Sequence, residues 1–240
     1  MRAIILAAGT GSRLGGVTTK ALIEVNGIKL IDYLLKFLNK ELFTDIYIVG
    51  GYHFTDLANY IETKNDRKIS VLQNSDYLKG NIYTLIKALT KFNNDSFLLT
   101  NVDHIYPPIM FNKMEKNFNN ITAMCDFDRN LGSDDMKVRL RPNTNQIEAI
   151  SKKLETYSCG YIGMTFVHKN FFAQYTKATY ATIENIGDNA VVENILQTLS
   201  NNFLTAPYIC DLSNFGWYEV DNKEDLEYAE KALKTNKNFI

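Results

Sequence analysis

Apolar residues in this chain fall in short blocks separated by polar turns. Arg2 to Ala8 and Ser96 to Thr100 are nearly continuous apolar runs, with shorter ones at Asp45 to Val49 and Lys68 to Leu72. Runs of that length predict strands, and continuous ones predict parallel strands covered on both faces. Between them, Ile28 to Leu38, Thr55 to Ile61 and Asn81 to Phe92 repeat apolar positions at helical spacing. The first half therefore alternates strand and helix, as an α/β sheet does.

The second half has a different rhythm. Thr122 to Phe127, Lys137 to Arg141, Gln146 to Ile150 and Gly160 to Val167 predict strands joined by turns, Arg141-Pro-Asn-Thr-Asn145 being the clearest turn. Helices are predicted at Asn170–Tyr180 and Asn189–Leu199, and a strand near Thr205–Ile209. Trp217 to Asp221 then enters a last helix in which Leu226, Ala229 and Leu233 share a face. There is no internal repeat and no linker rich in proline, glycine or serine. The pattern predicts one α/β domain over 1–240, a doubly wound sheet with a β region appended to it.

Composition narrows the partners. A chain of 240 residues can bury a substantial core, and a formal charge of −1 with no arginine-rich run excludes a global field for nucleic acid. Any anion site must be local, which suits a small-molecule enzyme. Cys125, Cys159 and Cys210 are odd in number and widely spaced, an arrangement that suits a reducing compartment and argues against a zinc site. The apolar run at Ala3–Ala8 is too short for a signal-peptide core, so the expectation is a cytoplasmic protein without a membrane span. No face of the pattern marks an oligomer interface.

The candidate chemistry begins where the first strand ends. Gly9-Thr-Gly-Ser-Arg-Leu-Gly-Gly16 can turn sharply and direct N–H groups at phosphate oxygens, and Arg13 and Lys20 add charge for a polyphosphate. A Walker A loop would need Gly-Lys-Ser/Thr opening a helix, which Gly16-Val-Thr-Thr-Lys20 does not supply. A dinucleotide fingerprint would need its third glycine one position earlier than Gly15, and an apolar helix where Val17-Thr-Thr19 stands. Two aspartates end apolar strands: Asp103, after Phe97 to Thr100, and Asp221, after Trp217 to Val220. Ligands of open α/β sheets gather beyond such strand ends, and magnesium needs only one or two carboxylates. Each aspartate also has a local alternative. Asp103 can start a loop by bonding its own backbone, and Asp221 can cap the final helix with Glu224 as its partner.

Leu6-Ala-Ala-Gly-Thr-Gly-Ser-Arg-Leu14 followed by Lys20-Ala-Leu22 resembles the signature loop of the nucleotidyltransferases that activate sugar phosphates and alcohol phosphates. Thr19 replaces the proline usual before that lysine. Asn101-Val-Asp-His104 and Val220-Asp-Asn-Lys-Glu-Asp225 resemble the family's two metal-binding segments. Lys79-Gly-Asn-Ile-Tyr-Thr-Leu85 resembles the segment beside the nucleobase in inositol-1-phosphate cytidylyltransferases and, more loosely, in phosphocholine cytidylyltransferases.

The resemblance implies a Rossmann-like nucleotidyltransferase fold. Residues 1–105 would mainly hold the nucleotide, 106–210 the acceptor, and 211–240 would carry a metal-binding strand end and the C-terminal helix. It implies Arg13 and Lys20 as catalytic groups and Asp103 and Asp221 as ligands of Mg²⁺. The nucleotide would be held by Leu6, Ala7, Ala8, Gly9, Thr10, Gly11, Ser12, Arg13, Lys20, Gly80, Asn81 and Asp103. Lys137, Lys152 and His104 would meet the acceptor. Ser158-Cys159-Gly160 stands where the inositol enzymes carry Asp-Thr-Gly, removing a carboxylate from the acceptor side. The implied reaction joins CTP and an alcohol phosphate of the inositol 1-phosphate type into a CDP-alcohol and pyrophosphate. Phosphocholine or another amino-alcohol phosphate or phosphonate is an alternative acceptor. A sugar 1-phosphate with another NTP, or a non-catalytic nucleotide sensor, are further alternatives.

Overall fold

The computed structural model describes residues 1–236, 238 and 239. In chain order its strands are β1 (Arg2–Ala7), β2 (Glu24–Val25), β3 (Ile28–Lys29), β4 (Asp45–Gly50), β5 (Ile69–Gln73), β6 (Phe97–Asn101), β7 (His104–Ile105), β8 (Ile121–Asp126), β9 (Lys137–Leu140), β10 (Ile147–Ser151), β11 (Cys159–Val167), β12 (Tyr208–Asp211) and β13 (Tyr218–Glu219). The helices are α1 (Leu30–Phe37), α2 (Phe54–Glu62), α3 (Ile82–Leu89), α4 (Met110–Glu115), α5 (Phe172–Ile186), α6 (Val192–Ser200) and α7 (Lys223–Leu233).

Nine strands form one mixed sheet in the order β10-β9-β11-β6-β1-β4-β5, with β8 on the other edge of β11 and β12 beside β8. β6, β1, β4 and β5 run parallel, while β11 is antiparallel to β6, β8 and β9. Strand β1 shows why its sequence is apolar throughout. Ile4 and Leu6 enter the core under α3, α5 and α6, while Ala3, Ile5 and Ala7 enter the opposite core with α1, α2 and α4. A sheet covered on both faces leaves no polar position in its central strand.

A third, smaller core of Val25, Leu30, Ile105, Val220, Ala229 and Leu233 lies beside the C-terminal edge of the parallel strands. It fastens the β7–β13 ribbon and α7 to the rest of the molecule. Tyr218 pairs with Ile105 and Glu219 with His104, and the Val220 N–H bonds the Asp103 carbonyl at 2.9 Å. This ribbon brings residues 103 and 221 together.

The structure departs from the predicted elements at identifiable places. The helix expected from Ile28 starts at Leu30, because Asn26 and Gly27, with φ of 51° and 78°, turn Ile28–Lys29 back onto Glu24–Val25 as a hairpin. Helix α5 runs on to Ile186, and within it Thr179 and Thr182 satisfy their buried hydroxyls on carbonyls four residues back. α4 was not foreseen, and β12 begins three residues later than expected. The last helix is capped by Asn222, not Asp221. The Asn222 side chain accepts from the Asp225 N–H, and the Asp225 carboxylate accepts from the Asn222 N–H, so Glu224 takes no part. That leaves the Asp221 side chain outside the cap.

Among the described residues no helix is long and apolar enough to cross a membrane.

Candidate active site

The glycine loop leaves β1 and folds over the sheet edge. Gly11, Gly15 and Gly16 all have positive φ, the backbone state that glycine adopts without strain. The Gly11 carbonyl accepts from the N–H groups of Leu14 and Gly16, and Tyr52 ties down the far end by donating to the Gly16 carbonyl at 2.7 Å. The loop leads into a short 3-10 turn that starts at Lys20, whose ammonium is buried beneath it.

Lys20 Nζ donates to Asp103 Oδ2 at 2.7 Å and also to Asp221 Oδ1. The carboxylates expected to share a metal thus meet at one ammonium, and Arg13 Nη1 lies 3.5 Å from Asp221 Oδ2. Burial works to lower the Lys20 pKa, but Asp103 and Asp221 outweigh it and hold it above its ordinary value. Burial likewise works to raise the Asp103 carboxyl, yet Lys20 and His104 keep it well below the usual carboxylate range.

His104 is almost fully buried. Its Nδ1–H donates to Asp103 Oδ1 at 2.6 Å, its Nε2 is 4.0 Å from Glu219, and its ring stacks on Trp217 with centroids 5.4 Å apart. Trp217 is oriented in turn by donating Nε1–H to Asp126 at 2.8 Å. Space for the imidazole comes from Gly163, where β11 bulges with φ of 75° and a Cβ would stand 2.7 Å from Nε2. Against the lowering effect of burial, Glu219 and Asp103 raise the imidazole pKa. Asp103, His104 and Glu219 each present a ligand atom within 4.8 Å of the others. Asp221 is not part of that group; it meets Asp103 only at Lys20, while the carboxylates of Asp103 and Glu219 are hard oxygen donors of the kind magnesium takes.

Two cavities meet at Asp103. One, of about 200 Å³, is lined by Leu6, Ala8, Gly9, Lys20, Tyr77, Lys79, Asn81 and neighbours. The other, of about 210 Å³, is lined by Asp134, Asp135, Met136, Lys152, Tyr161, Glu193, Glu219 and Asp221, and shares Asn81, Asn101 and Asp103 with the first. Two roomier but shallower grooves lie away along α1, α2 and β5 and gather none of these residues.

Asn81 sits on the wall between the two cavities. Its Oδ1 accepts from the Val192 N–H at 2.9 Å, so the side chain caps α6 and not its own helix. Gly80 lies so close to the 188–190 turn that a Cβ there would be 1.8 Å from the Ala190 carbonyl oxygen. Its glycine identity therefore has a packing cause. Lys152 lines the second cavity, half exposed and 3.9 Å from Asp134. Lys137 does not line it. Its buried ammonium donates to the carbonyls of Gly132 and Lys152 at 2.6 and 2.9 Å, holding the turn that carries Lys152.

Glu219, Glu193 and Gly163 were not among the expected site residues. Glu219 had a signal: two residues before Asp221 on a strand, it must face the same side. Glu193 and Gly163 had none, because only the packing of α6 and β11 brings them to the cleft.

A glycine loop over a sheet edge, a lysine between two strand-end aspartates and paired cavities are the architecture of a nucleotidyltransferase. The MobA-like NTP transferase domain matches residues 3–130, and the chain belongs to that family. It is 27% identical over 233 residues to the bifunctional IPC transferase and DIPP synthase of Archaeoglobus fulgidus, a match covering 97% of this chain but 44% of the relative. The chain thus spans less than half the length of that relative. It is also 27% identical to the choline-phosphate cytidylyltransferase of Streptococcus pneumoniae, over 98% of this chain and 99% of the relative. The inositol-1-phosphate CTP transferase of T. maritima shares its fold with a TM-score of 0.78 at 21% identity, covering 98% of this chain and 96% of the other. The nucleotidyltransferase fold and family expected from the N-terminal loop are those of this chain.

Proposed function

We propose that this nucleotidyltransferase is a cytidylyltransferase that joins CTP to a small phosphorylated alcohol, releasing pyrophosphate. The observation that carries this is the meeting of two cavities at Asp103, one under the glycine loop and one beneath Lys152. Transfer needs an acceptor phosphate oxygen in line with the α-phosphorus and the departing pyrophosphate, with repulsion between the anions screened. Residues from both chambers face that junction. The full-length likeness to a choline-phosphate cytidylyltransferase supports CTP as the donor.

In this reading the loop from Leu6 to Arg13 cradles the triphosphate through its N–H groups. Arg13 and Lys20 neutralise its oxygens. Asp103 and Asp221, with Glu219 beside them, would hold Mg²⁺, which when bound supplies charge neutralisation across the two phosphates. The small residues Ala8 and Gly9 bound the base pocket, whereas the Ala7 side chain, also expected there, is packed in the opposite core. Asn81, whose Oδ1 is taken by α6, offers its amide N–H₂ to the base. Lys152 binds the acceptor phosphate, Lys137 positions the Lys152 turn, and His104 orients Asp103.

For the acceptor, the resemblance of Lys79–Leu85 to the segment of inositol-1-phosphate cytidylyltransferases supports a polyol phosphate. The acidic lining around Glu193 and Asp134 favours a second reading, an amino-alcohol phosphate or phosphonate. Pyrophosphate release is the test, measured with CTP, UTP, GTP and ATP against a panel of phosphorylated alcohols. CTP should be preferred over the purine nucleotides. Equal or better turnover with GTP or ATP would refute the cytidylyl reading, and no release with any pair would refute transfer itself.

A further inference from the structure

The acceptor-side cavity has an excess of acid that its own residues do not balance. Asp103, Asp134, Asp135, Glu193, Glu219 and Asp221 line it, against Lys152 and His104. Most of these carboxylates are already satisfied. Asp103 and Asp221 contact Lys20, Glu219 faces His104, and Asp135 accepts from the Gly132 N–H at 2.6 Å. Asp134 is solvated, with 83% of its side chain exposed.

Glu193 is the exception. It stands in the first turn of α6 with 9% exposure, and among the described residues its carboxylate has no ion pair and no side-chain hydrogen bond. The helix N-terminus makes a carboxylate tolerable there but supplies no counter-ion. Its own backbone N–H bonds the carboxylate, but no cation balances it, and a mostly buried carboxylate without a counter-ion is expensive, so its place on the wall of a ligand cavity needs a chemical reason.

We infer that Glu193 selects the acceptor, and that the acceptor is a phosphorylated alcohol or phosphonate carrying a primary ammonium group, which the Glu193 carboxylate receives. This rests on the reading of the cavity as the acceptor site. A polyol hydroxyl can donate to Glu193 but cannot neutralise it. A trimethylammonium could neutralise it but donates nothing, and is normally held among several aromatic faces. Among the described residues Tyr161 is the only tyrosine, tryptophan or phenylalanine on this wall, its hydroxyl already paired with Thr165 at 2.9 Å. A primary ammonium does both: it neutralises the charge and donates charge-assisted hydrogen bonds. The acceptor phosphate then lies toward Lys152 and the Asp103 junction, with the amine at the floor.

The experiment compares phosphoethanolamine, 2-aminoethylphosphonate, phosphocholine and inositol 1-phosphate in two readouts. One is kcat/KM for pyrophosphate release with CTP, and the other is equilibrium binding of each acceptor by calorimetry. The two primary amines should bind roughly 10- to 100-fold more tightly than the other two. Glu193→Gln should erase most of that margin through KM and Kd, with kcat changing less. Glu193→Asp, which keeps the charge, should recover part of it, and melting curves will show that both variants fold.

Preference for phosphocholine or inositol 1-phosphate would overturn the inference. So would a Glu193→Gln variant weakened equally toward all four compounds, or failure of the wild type to bind either primary amine. Glu193-dependent amine binding without pyrophosphate release from any NTP would uphold the Glu193 assignment and refute the transferase reading.

Discussion

The two ends of the cleft hold the same kinds of charge and treat them in opposite ways. At the nucleotide end and the junction of the two cavities the charges are paired before any ligand enters: Lys20 with Asp103 and Asp221, Asp103 with His104, and Arg13 near Asp221. At the acceptor end Glu193 has no counter-ion among the described residues, and Lys152 and Asp134 stand 3.9 Å apart in solvent. Lys137 is committed to backbone carbonyls. Paired charges on a rigid ribbon are preorganised, so their geometry persists whatever binds. Unpaired charges need a ligand to complete them, and that is where selectivity between acceptors can reside.

The comparison breaks first at the paired end. Asp103→Ala and Asp221→Ala should each lower turnover by ~10³-fold or more, since each removes a proposed metal ligand and strips Lys20 of a partner. CTP binding should weaken far less. Near-normal activity in both variants would mean the paired cluster is only structural. A smaller effect is expected at the lysine. Lys20→Ala should lower kcat by ~10²–10³-fold, the usual loss when one transition-state donor is removed. An unchanged kcat would leave Lys20 as no more than a buried counter-ion.

The unpaired end has a signature in stability. Burial raises the Glu193 carboxyl above its ordinary value against the opposing hydrogen bond from its own backbone N–H and the charges of Lys152 and His104, and Asp103 adds to the rise. Tyr161 and Tyr175 feel the same charge from β11 and α5. With the folded pKa above the unfolded one, the native state binds the proton more tightly. The stability this gives is complete below the unfolded pKa and lost as pH rises through the folded pKa. Glu193→Gln should therefore melt like the wild type near pH 4 and higher at pH 7. The gap should be on the order of 1 kcal/mol, or ~2–4 °C for a chain of this size. A gap that stays constant across that range would show that ionisation is not the cause.

The smallest expected effect tests the loop that carries the paired cluster. Thr19, where the signature loop it resembles has proline, has φ of −61°, already in the range a proline ring imposes, and among the described residues its buried hydroxyl has no partner. Thr19→Pro should stabilise the protein by ~0.4–1 kcal/mol in thermal or urea unfolding, by narrowing the unfolded chain's choices. A destabilised variant would show that the loop relies on the threonine.

Much of the fold and part of the site were legible in residue order, and the division follows the range of the interactions. The glycine loop, the apolar strands around it and the aspartates after β6 and near the chain's end are local patterns. Strand burial, turn chemistry and strand-end position depend on neighbours within a few residues, and the N-terminal loop was enough to mark a nucleotidyltransferase. Even the hairpin at Asn26-Gly27 and the Asn222–Asp225 cap were written locally, though stronger helical spacing and a nearer aspartate obscured them. What only the tertiary structure decided involves partners distant in sequence. Residues 20, 103 and 221 meet because the β7–β13 ribbon is fastened by a separate small core. Lys137 turned inward, and Asn81 reached across to cap α6. Glu193 acquired its setting when α6 packed beside β10 and α5, leaving a carboxylate in the cleft. Whether a charged side chain ends in water, against a carbonyl or alone in a cavity depends on which surfaces close over it, and that is settled only when the sheet assembles.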